Sequence, residues 1–262
     1  MKQLELLEMD KFVNVYEVVR VINSKPLFLS AHYQRFIQSL SHFKLCLTTE
    51  DYFFNEICNI ILIKEISYGN IRIDTFIDPD TPNCEIHIKQ IPHHYPSNEQ
   101  YKNGVKVISY PHERPSPQRK IWHADIRQKI DDIIKSGKCY EVLYYNKSNI
   151  LTEGSRSNLF FIKDEKIFTP KQEHVLPGIT KNNIIKLAKK MGFEIIETEI
   201  PLIDIVSFDS AFISGTSPNI LPIKEIDGYH LDVNNKCLRS LMKEFDGLIQ
   251  LDIRNFKKCK SL

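Results

Sequence analysis

Two short segments contain residues that could do covalent and acid–base chemistry. Lys120 follows another cation, Arg119, at the edge of an apolar stretch. A lysine in such a place could have a lowered pKa and act as a nucleophile. Glu153 lies in a glycine-containing bend before the apolar run Leu159–Ile162, where backbone and packing would fix its carboxylate. Taken singly, each has a plainer interpretation: a solvated lysine and a polar turn.

Two further segments are candidate anion sites. Leu176–Thr180 opens a predicted helix with a glycine and a threonine, and the unpaired amides and dipole of a helix start favour negative charge. Ser214–Ser217 follows a predicted strand, where small hydroxylated residues make a second candidate phosphate cradle. The plainer interpretations are an ordinary helix N-cap and a tight turn.

In this order along the chain, the four segments resemble the fold-type IV pyridoxal-phosphate (PLP) enzymes. That family includes branched-chain and D-amino-acid aminotransferases and aminodeoxychorismate lyases. The N-terminal part is similar too, since Tyr16–Val21 resembles the family's opening strand and Leu29–Phe36 its first helix. The spacing from Lys120 to Glu153 fits the lyase and D-amino-acid branches without a gap. The resemblance runs from about Tyr16 to Pro222.

The resemblance assigns a role to each matching residue. Lys120 would hold PLP as a Schiff base and act as the proton shuttle, and Glu153 would contact the pyridine nitrogen. A carboxylate there keeps the ring protonated, so that the ring draws electrons from the substrate carbon. The other cofactor-binding residues would hold the phosphate: Arg35, Ile179, Thr180, Thr216 and Ser217.

Three features depart from the family's pattern. Many relatives carry an asparagine shortly after the lysine, where this chain has Trp122–Asp125; His123 is the candidate substitute, with a surface histidine as the alternative. Asp10–Val15 replaces a glycine-rich aromatic stretch that helps to shape the substrate pocket. The carboxylate clamp of the D-amino-acid branch is not at its usual place. Arg114 and Arg20 are therefore candidate substrate ligands, the alternatives being a solvent-exposed charge and a structural ion pair.

Composition argues against several other classes. The chain has 262 residues, of which 42% are hydrophobic and 26% charged, as in ordinary soluble proteins. Its net charge of +2 is too small to imply a nucleic-acid or membrane partner. The apolar-rich stretch Ile57–Ile66 is too short to span a bilayer. We expect no secretory signal, because the N-terminus has no apolar core region, and we interpret the basic end with Lys257, Lys258 and Lys260 as a solvated tail.

The cysteines predict a reducing compartment. Six are present, but they form no C-x-x-C pair and no cluster with zinc spacing. We therefore expect no metal site, reduced cysteines and a cytoplasmic protein.

Hydrophobic periodicity predicts the elements that must position these residues. Strands are predicted over Phe12–Ile22, Pro26–Leu29, Ile71–Ile77, Glu85–Ile91, Val105–Tyr110, Tyr140–Tyr145, Asn158–Ile162, Lys166–Thr169, Ser207–Ile213 and Asn219–Ile223. Helices are predicted after an N-cap at Ser30, after Thr48 or Thr49, from Trp122 to Gly137 and over Thr180–Met191.

The mixed order of strands and helices predicts a two-domain α/β (α+β) fold. Residues 1–110 would form a small N-terminal α/β domain, and the proline-containing residues 111–119 would be the linker. Residues 120–262 would form the large PLP-binding domain, for which the resemblance implies a mixed pseudo-barrel sheet. The active site is expected in the cleft between the domains. The resemblance also implies a homodimer, with part of each site completed by the partner.

The leading functional hypothesis is amino transfer between an amino acid and a 2-oxo acid, both small molecules. Lys120 would serve as nucleophile and then as general base and acid. One alternative is an aminodeoxychorismate lyase, which uses the same lysine and cofactor but releases pyruvate and 4-aminobenzoate. The other is a non-catalytic PLP-binding protein.

Overall fold

The computed structural model describes residues 12–41, 43, 49–78, 80–81, 84–256 and 259. The chain divides into two compact units. The first unit comprises Met1–His93, Arg119–Trp122 and Ile249–Leu262, and the second comprises His94–Gln118 and His123–Leu248. The class of fold is the predicted one, with helices and strands mixed along the chain and one sheet in each unit.

The first unit contains a four-stranded antiparallel sheet in the order β2-β1-β3-β4. Its elements are β1 (Val13–Ile22), β2 (Lys25–Pro26), α1 (Leu29–Leu40), α2 (Glu50–Ile63), β3 (Tyr68–Ile77) and β4 (Cys84–Ile91). Alternate residues of β1 and β3 join the inner faces of both helices in one core. The core includes Val15, Val19, Ile71, Ile73, Phe36, Leu40, Phe53, Ile57 and Ile61.

The second unit contains a ten-stranded mixed sheet. Its order is β10-β9-β8-β12-β13-β5-β6-β7-β11, and β14 pairs with β13. The strands are β5 (Val105–Pro111), β6 (Glu141–Tyr145), β7 (Ile150–Gly154), β8 (Asn158–Lys163), β9 (Lys166–Pro170), β10 (Ile195–Thr198), β11 (Ile200–Pro201), β12 (Ser210–Gly215), β13 (Asn219–Ile226) and β14 (Tyr229–His230). The helices are α3 (Asn98–Asn103), α4 (Ala124–Gly137), α5 (Ile179–Lys190) and α6 (Lys236–Asn255), and the unit boundary falls within α6.

Several predicted elements are confirmed with their local causes. Thr49 caps α2, because its Oγ1 accepts a hydrogen bond from the Tyr52 amide at 3.2 Å. The β8–β9 hairpin turns at Asp164 and Glu165, which both have positive φ angles. Gly192, with φ of +88°, follows the end of α5 in the left-handed region that glycine tolerates.

Three local predictions are wrong. The predicted strand Pro26–Leu29 shrinks to a two-residue pairing, and α1 starts at Leu29, so Ser30 is not its N-cap. The Phe28 amide at that helix start is bound instead by the Asp252 carboxylate at 2.8 Å, which is a long-range contact. Trp122 lies before α4, because its amide pairs with the Asn14 carbonyl at 2.8 Å.

The unit boundaries differ from the predicted domain limits of 110 and 120. Strand β5, which the sequence assigned to the small domain, pairs in parallel with β6 and β13 and so belongs to the large sheet. Arg119–Trp122 groups with the first unit, because Ile121 bridges Val15 on β1. The prolines of residues 111–119 indicate that the chain changes direction. They do not indicate which sheet the residues on either side join.

Two cysteines form a disulfide, which corrects the prediction of reduced thiols for this pair. Cys58 on α2 is bonded to Cys259, with their Cα atoms 5.3 Å apart. Cys46 and the basic residues Lys257, Lys258 and Lys260 lie outside the described residues. Within the described residues, no helix has the length and apolar content that crossing a membrane requires, and there is no cluster of three or more metal-ligating side chains.

Candidate active site

The backbone of Lys120 is fixed between a strand and a helix of the first unit. Its carbonyl accepts a hydrogen bond from the Tyr16 amide at 3.0 Å, and the next amide but one, of Trp122, donates to Asn14 at 2.8 Å. The Lys120 amide faces Ser39 Oγ on α1 at 3.3 Å. The lysine therefore lies next to an isolated antiparallel bridge, in which Ile121 pairs with Val15 of β1.

The Lys120 side chain lies in a layer of aromatic rings and cations. Its Nζ is 4.7 Å from the centre of the Tyr16 ring, and that ring meets Trp122 edge-on at 5.5 Å. The Arg72 guanidinium lies 4.4 and 4.3 Å from the centres of these two rings. Cation–π contacts of this kind hold cations without neutralising them.

Arg35, one turn before Ser39 on α1, is buried against Glu17 of β1. Its Nε and Nη2 lie 2.7 Å from Oε1 and Oε2 of Glu17, and His32 Nδ1 lies 2.9 Å from Oε2. Burial acts to raise the pKa of Glu17, but the Arg35 charge, with hydrogen bonds from Arg35 and His32, lowers it to about 2. Burial lowers the pKa of His32, and the nearby charges of Arg35 and Lys120 add to that effect. The first unit thus places Arg35 and His32 around one buried carboxylate, and the charge of Lys120 lies close enough to act on His32.

Glu153 is a buried acid of the second unit. It lies within strand β7 rather than in the predicted bend, and it is 3% exposed. Its Oε1 accepts a hydrogen bond from Arg114 Nη1 at 2.7 Å, and its Oε2 accepts one from the Leu176 amide at 2.9 Å. The carboxylate is therefore tied directly to the segment that opens α5.

The start of α5 presents backbone amides, as the sequence predicts. Gly178 is the N-cap, and Ile179 and Thr180 are buried in the first turn. The first amides of a helix lack partners within the helix. A Cβ on Gly178 would overlap Asn158 Oδ1, and Asn158 Nδ2 donates to the Leu176 carbonyl at 3.0 Å. Only a glycine allows this close approach.

The Ser214–Ser217 segment lies beside the same asparagine. Ser214 on β12 is paired in register with Asn158 on β8, and a Cβ on Gly215 would lie 3.3 Å from the Arg156 carbonyl. Ser214 Oγ is buried without a hydrogen-bond partner in the described part of the chain. Thr216 and Ser217 follow at the strand end, half-buried. The three candidate segments of the second unit therefore meet around Asn158.

The three candidate substrate ligands have different surroundings. Arg114 is bound to Glu153. Arg20 is buried, and its Nη2 donates to the Tyr68 hydroxyl at 2.6 Å. His123 lies at the N-cap position of α4, and its buried Nε2 has no partner among the described residues. Burial lowers the pKa of His123, and the charge of Arg114 lowers it further.

Sequence reasoning missed Glu17 and Lys181. Glu17 had a signal, since it shares the inward face of β1 with Val15 and Val19, where a charge needs a partner. Lys181, in the first turn of α5, is 0% exposed, and its Nζ donates to the Pro170 carbonyl at 3.1 Å. Burial lowers the pKa of Lys181. Its position after Thr180 gave no sign of that burial.

Known proteins are similar to this chain over most of its length. A family model described as amino-transferase class IV matches residues 14–226. A probable branched-chain-amino-acid aminotransferase from Thermotoga maritima is 28% identical over 245 residues, which are 90% of this chain and 86% of the relative.

Two solved structures share the fold. One, from Legionella pneumophila, is described as a putative 4-amino-4-deoxychorismate lyase; it has a TM-score of 0.79 at 20% identity and covers 91% of each chain. The other is the crystal structure of a T.th. branched-chain amino acid aminotransferase with pyridoxamine 5'-phosphate. Its TM-score is 0.79 at 18% identity, over 95% of this chain and 90% of that one.

Proposed function

Because this chain belongs to the class IV aminotransferase family, we propose that it is a PLP-dependent enzyme that moves an amino group between an amino acid and a 2-oxo acid. The observation that carries the proposal is the family match over residues 14–226, since that range includes Lys120, Glu153 and both candidate phosphate segments. The relative from T. maritima, similar over 90% of this chain, supports amino transfer. Branched-chain amino acids are therefore the first substrates to test.

The side chains and amides present fit PLP. Its phosphate carries negative charge, which the amides and dipole at the start of α5 favour. Ser214 Oγ, a buried hydroxyl without a partner in the described residues, can donate a hydrogen bond to such an occupant. Each oxygen of Glu153 accepts one hydrogen bond, and a carboxylate oxygen can accept two, so a ring N–H can also be accepted.

The proposed roles follow the resemblance. Lys120 Nζ would hold the cofactor and then accept and return the proton of the substrate's α-carbon. Glu153 would accept the pyridine N–H, and His123 Nε2 is the candidate partner of the ring oxygen. Bound PLP would supply the electron sink for the bond changes at that carbon. The phosphate would be held by Arg35, Ile179, Thr180, Thr216 and Ser217.

Two arginines are not proposed as substrate ligands. Arg114 has Glu153 as its partner at 2.7 Å, and Arg20 has the Tyr68 hydroxyl at 2.6 Å. A substrate carboxylate would have to displace one of these contacts. Neither arginine is therefore assigned to the substrate carboxylate, and rates measured with a panel of substrates are the way to find the group that binds it.

A single-turnover assay tests the function. The PLP-loaded protein is mixed with each of a panel of amino acids, without an acceptor, and the cofactor absorbance and the 2-oxo acid product are measured. We expect conversion to the pyridoxamine form with at least one amino acid, and no conversion with the Lys120→Ala variant. If no amino acid gives conversion, the transaminase proposal fails.

The same preparation separates the alternatives. The lyase alternative is favoured by the likeness to the Legionella structure, with a TM-score of 0.79. It predicts pyruvate and 4-aminobenzoate from aminodeoxychorismate. PLP binding without either reaction would instead indicate a non-catalytic PLP-binding protein.

The proposal includes a homodimer, as the family resemblance implies, and a cytoplasmic location, which the sequence predicts from its cysteine pattern. Light scattering after gel filtration should then give about twice the chain mass of 30.7 kDa. A mass near that of one chain would contradict the dimer. Cell fractionation tests the compartment. Because disulfides are uncommon in the cytosol, the Cys58–Cys259 bond makes this measurement necessary.

A further inference from the structure

Arg114 makes a short contact to the acid that the proposed function places on the cofactor ring. Its Nη1 lies 2.7 Å from Glu153 Oε1, and the two side chains are 16% and 4% exposed. At this depth an ion pair is only weakly screened by solvent. Removing either partner would leave a poorly solvated charge behind.

The loop that carries Arg114 is anchored at both ends within the second unit. At its start the His112 amide donates to the Tyr145 carbonyl at 3.1 Å. At its end Gln118 Nε2 donates to the Val175 carbonyl at 3.0 Å and also to the Gln172 carbonyl. These contacts restrict the loop, and hence the guanidinium that it carries.

The second anchor leads back to the same carboxylate. Val175 immediately precedes Leu176, whose amide donates to the other oxygen of Glu153 at 2.9 Å. The loop, the start of α5 and strand β7 are thus joined through one acid. Replacing Arg114 should therefore first change the position of the Glu153 carboxylate.

We propose that Arg114 is a positioning residue for Glu153 rather than a ligand of the substrate carboxylate. The inference rests on the proposed function, because it gives Glu153 the pyridine nitrogen as its partner. The Arg114 guanidinium lies 2.7 Å from one carboxylate oxygen of Glu153, so it fixes the orientation of the carboxylate and leaves lone pairs for a ring N–H.

An ion pair that served only the fold would give a different pattern from one that acts through Glu153. A positioning role requires that the loss of Arg114 weaken PLP binding only while Glu153 is present. A double-mutant cycle separates the two cases, since a residue that works through another has no further effect once that other is removed.

The experiment measures the dissociation constant of PLP, by absorbance and fluorescence titration of the full chain. The proteins are the parent, Arg114→Gln, Arg114→Lys, Glu153→Gln and the double variant Arg114→Gln/Glu153→Gln. Lys166→Gln is the matched control, because it removes an exposed ion pair with Glu194 in the same unit. Circular dichroism verifies that each variant is folded.

We expect Arg114→Gln to weaken PLP binding roughly 10- to 100-fold, the size of effect that outer partners have on metal ligands. Arg114→Lys should recover part of the loss, and Lys166→Gln should bind as the parent does. The double variant should bind no more weakly than Glu153→Gln. If Arg114→Gln does not fold, the comparison of Glu153→Gln with the double variant decides, since neither leaves a buried carboxylate without its partner.

Three results would overturn the inference. Parent-like PLP binding by a folded Arg114→Gln would show that Arg114 does not support the cofactor acid. A double variant that binds more weakly than Glu153→Gln would show an effect independent of Glu153. Failure of the parent to bind PLP at all would overturn the proposed function and this inference together. The first two results, in contrast, would overturn only the role of Arg114 and leave the proposed function intact.

Discussion

Glu17 and Arg35 form a two-point ion pair in the core of the first unit, with Nε and Nη2 of the arginine each 2.7 Å from one carboxylate oxygen. The proposed phosphate ligand is therefore held in place by an acid from the neighbouring strand. Glu17 is 0% exposed, so the pair is stable only if both members remain.

Replacing Glu17 by Gln should destabilise the protein strongly. Arg35 would keep its charge in a buried place without a carboxylate, and breaking a buried pair in this way costs about 3–5 kcal/mol. Urea titration gives the free energy of unfolding. The control is Glu85→Gln, which removes the exposed contact with His87 and should cost about 1 kcal/mol or less. Equal effects of the two substitutions would contradict a buried, paired Glu17.

Acid should remove the contribution of Glu17 in a defined pH window. The pKa of Glu17 falls from 4.5 to about 2 on folding, so the unfolded chain binds the proton first. The stabilisation is complete above pH 4.5 and is lost as the pH falls toward about 2. The parent and Glu17→Gln should therefore differ less in unfolding free energy at each step down this window. A difference that stays constant would show that Glu17 does not titrate as described.

Replacing Gly178 by Ala should disturb the proposed phosphate site. The added Cβ would overlap Asn158 Oδ1, and Asn158 is buried and bonded to Leu176, so the start of α5 must shift. We expect weaker binding of PLP and a loss of about 1–3 kcal/mol in unfolding free energy from overpacking.

Gly247→Ala is the matched control for that substitution. A Cβ there meets no atom within 4 Å among the described residues, and alanine is favoured over glycine in a helix by about 1 kcal/mol. Gly247→Ala should therefore bind PLP normally and be as stable as the parent or more so. If both variants bind PLP normally, the amides of Ile179 and Thr180 do not hold its phosphate.

Breaking the Cys58–Cys259 disulfide should loosen the first unit. The bond joins residues separated by 201 positions, and such a cross-link stabilises mainly by restricting the unfolded chain, typically by about 2–4 kcal/mol. Thermal unfolding of Cys259→Ser without reductant should show a lower midpoint than the parent, and dithiothreitol should lower the parent to the same value. Cys84→Ser, at an exposed position, should change nothing. A parent that does not respond to dithiothreitol would contradict the disulfide.

The sequence indicates which residues are candidates for the site, but it does not indicate their hydrogen-bond and ion-pair partners. Lys120, Glu153 and the two candidate phosphate segments each have a plainer interpretation alone, and only their order along the chain resembles that of one family. The sequence makes Arg114 a candidate substrate ligand but gives no sign of its contact to Glu153, which joins residues 39 positions apart. Such a pair depends on how a loop meets a strand, and no local pattern records it.

The fold shows the same limit. Strands with long apolar runs, such as Asn158–Lys163, were predicted, whereas the five-residue strand Ile150–Gly154, which carries Glu153, was not. Its polar end resembles a turn, and only pairing with Glu141–Tyr145 and Ile200–Pro201 makes it a strand. The start of the first helix was misplaced for a similar reason, because the amide of its N-cap residue, Phe28, binds the distant Asp252 carboxylate rather than a local side chain.

Identifying the lysine that carries PLP tests the central claim most directly. The loaded protein is reduced with borohydride, digested, and mapped by mass spectrometry. Lys181 is the rival amine, since it is fully buried and burial lowers its pKa. We predict the pyridoxyl group on Lys120 in the parent and in Lys181→Met, and its absence in Lys120→Ala. Recovery of the label on Lys181, or an unchanged yield of label in Lys120→Ala, would contradict the account.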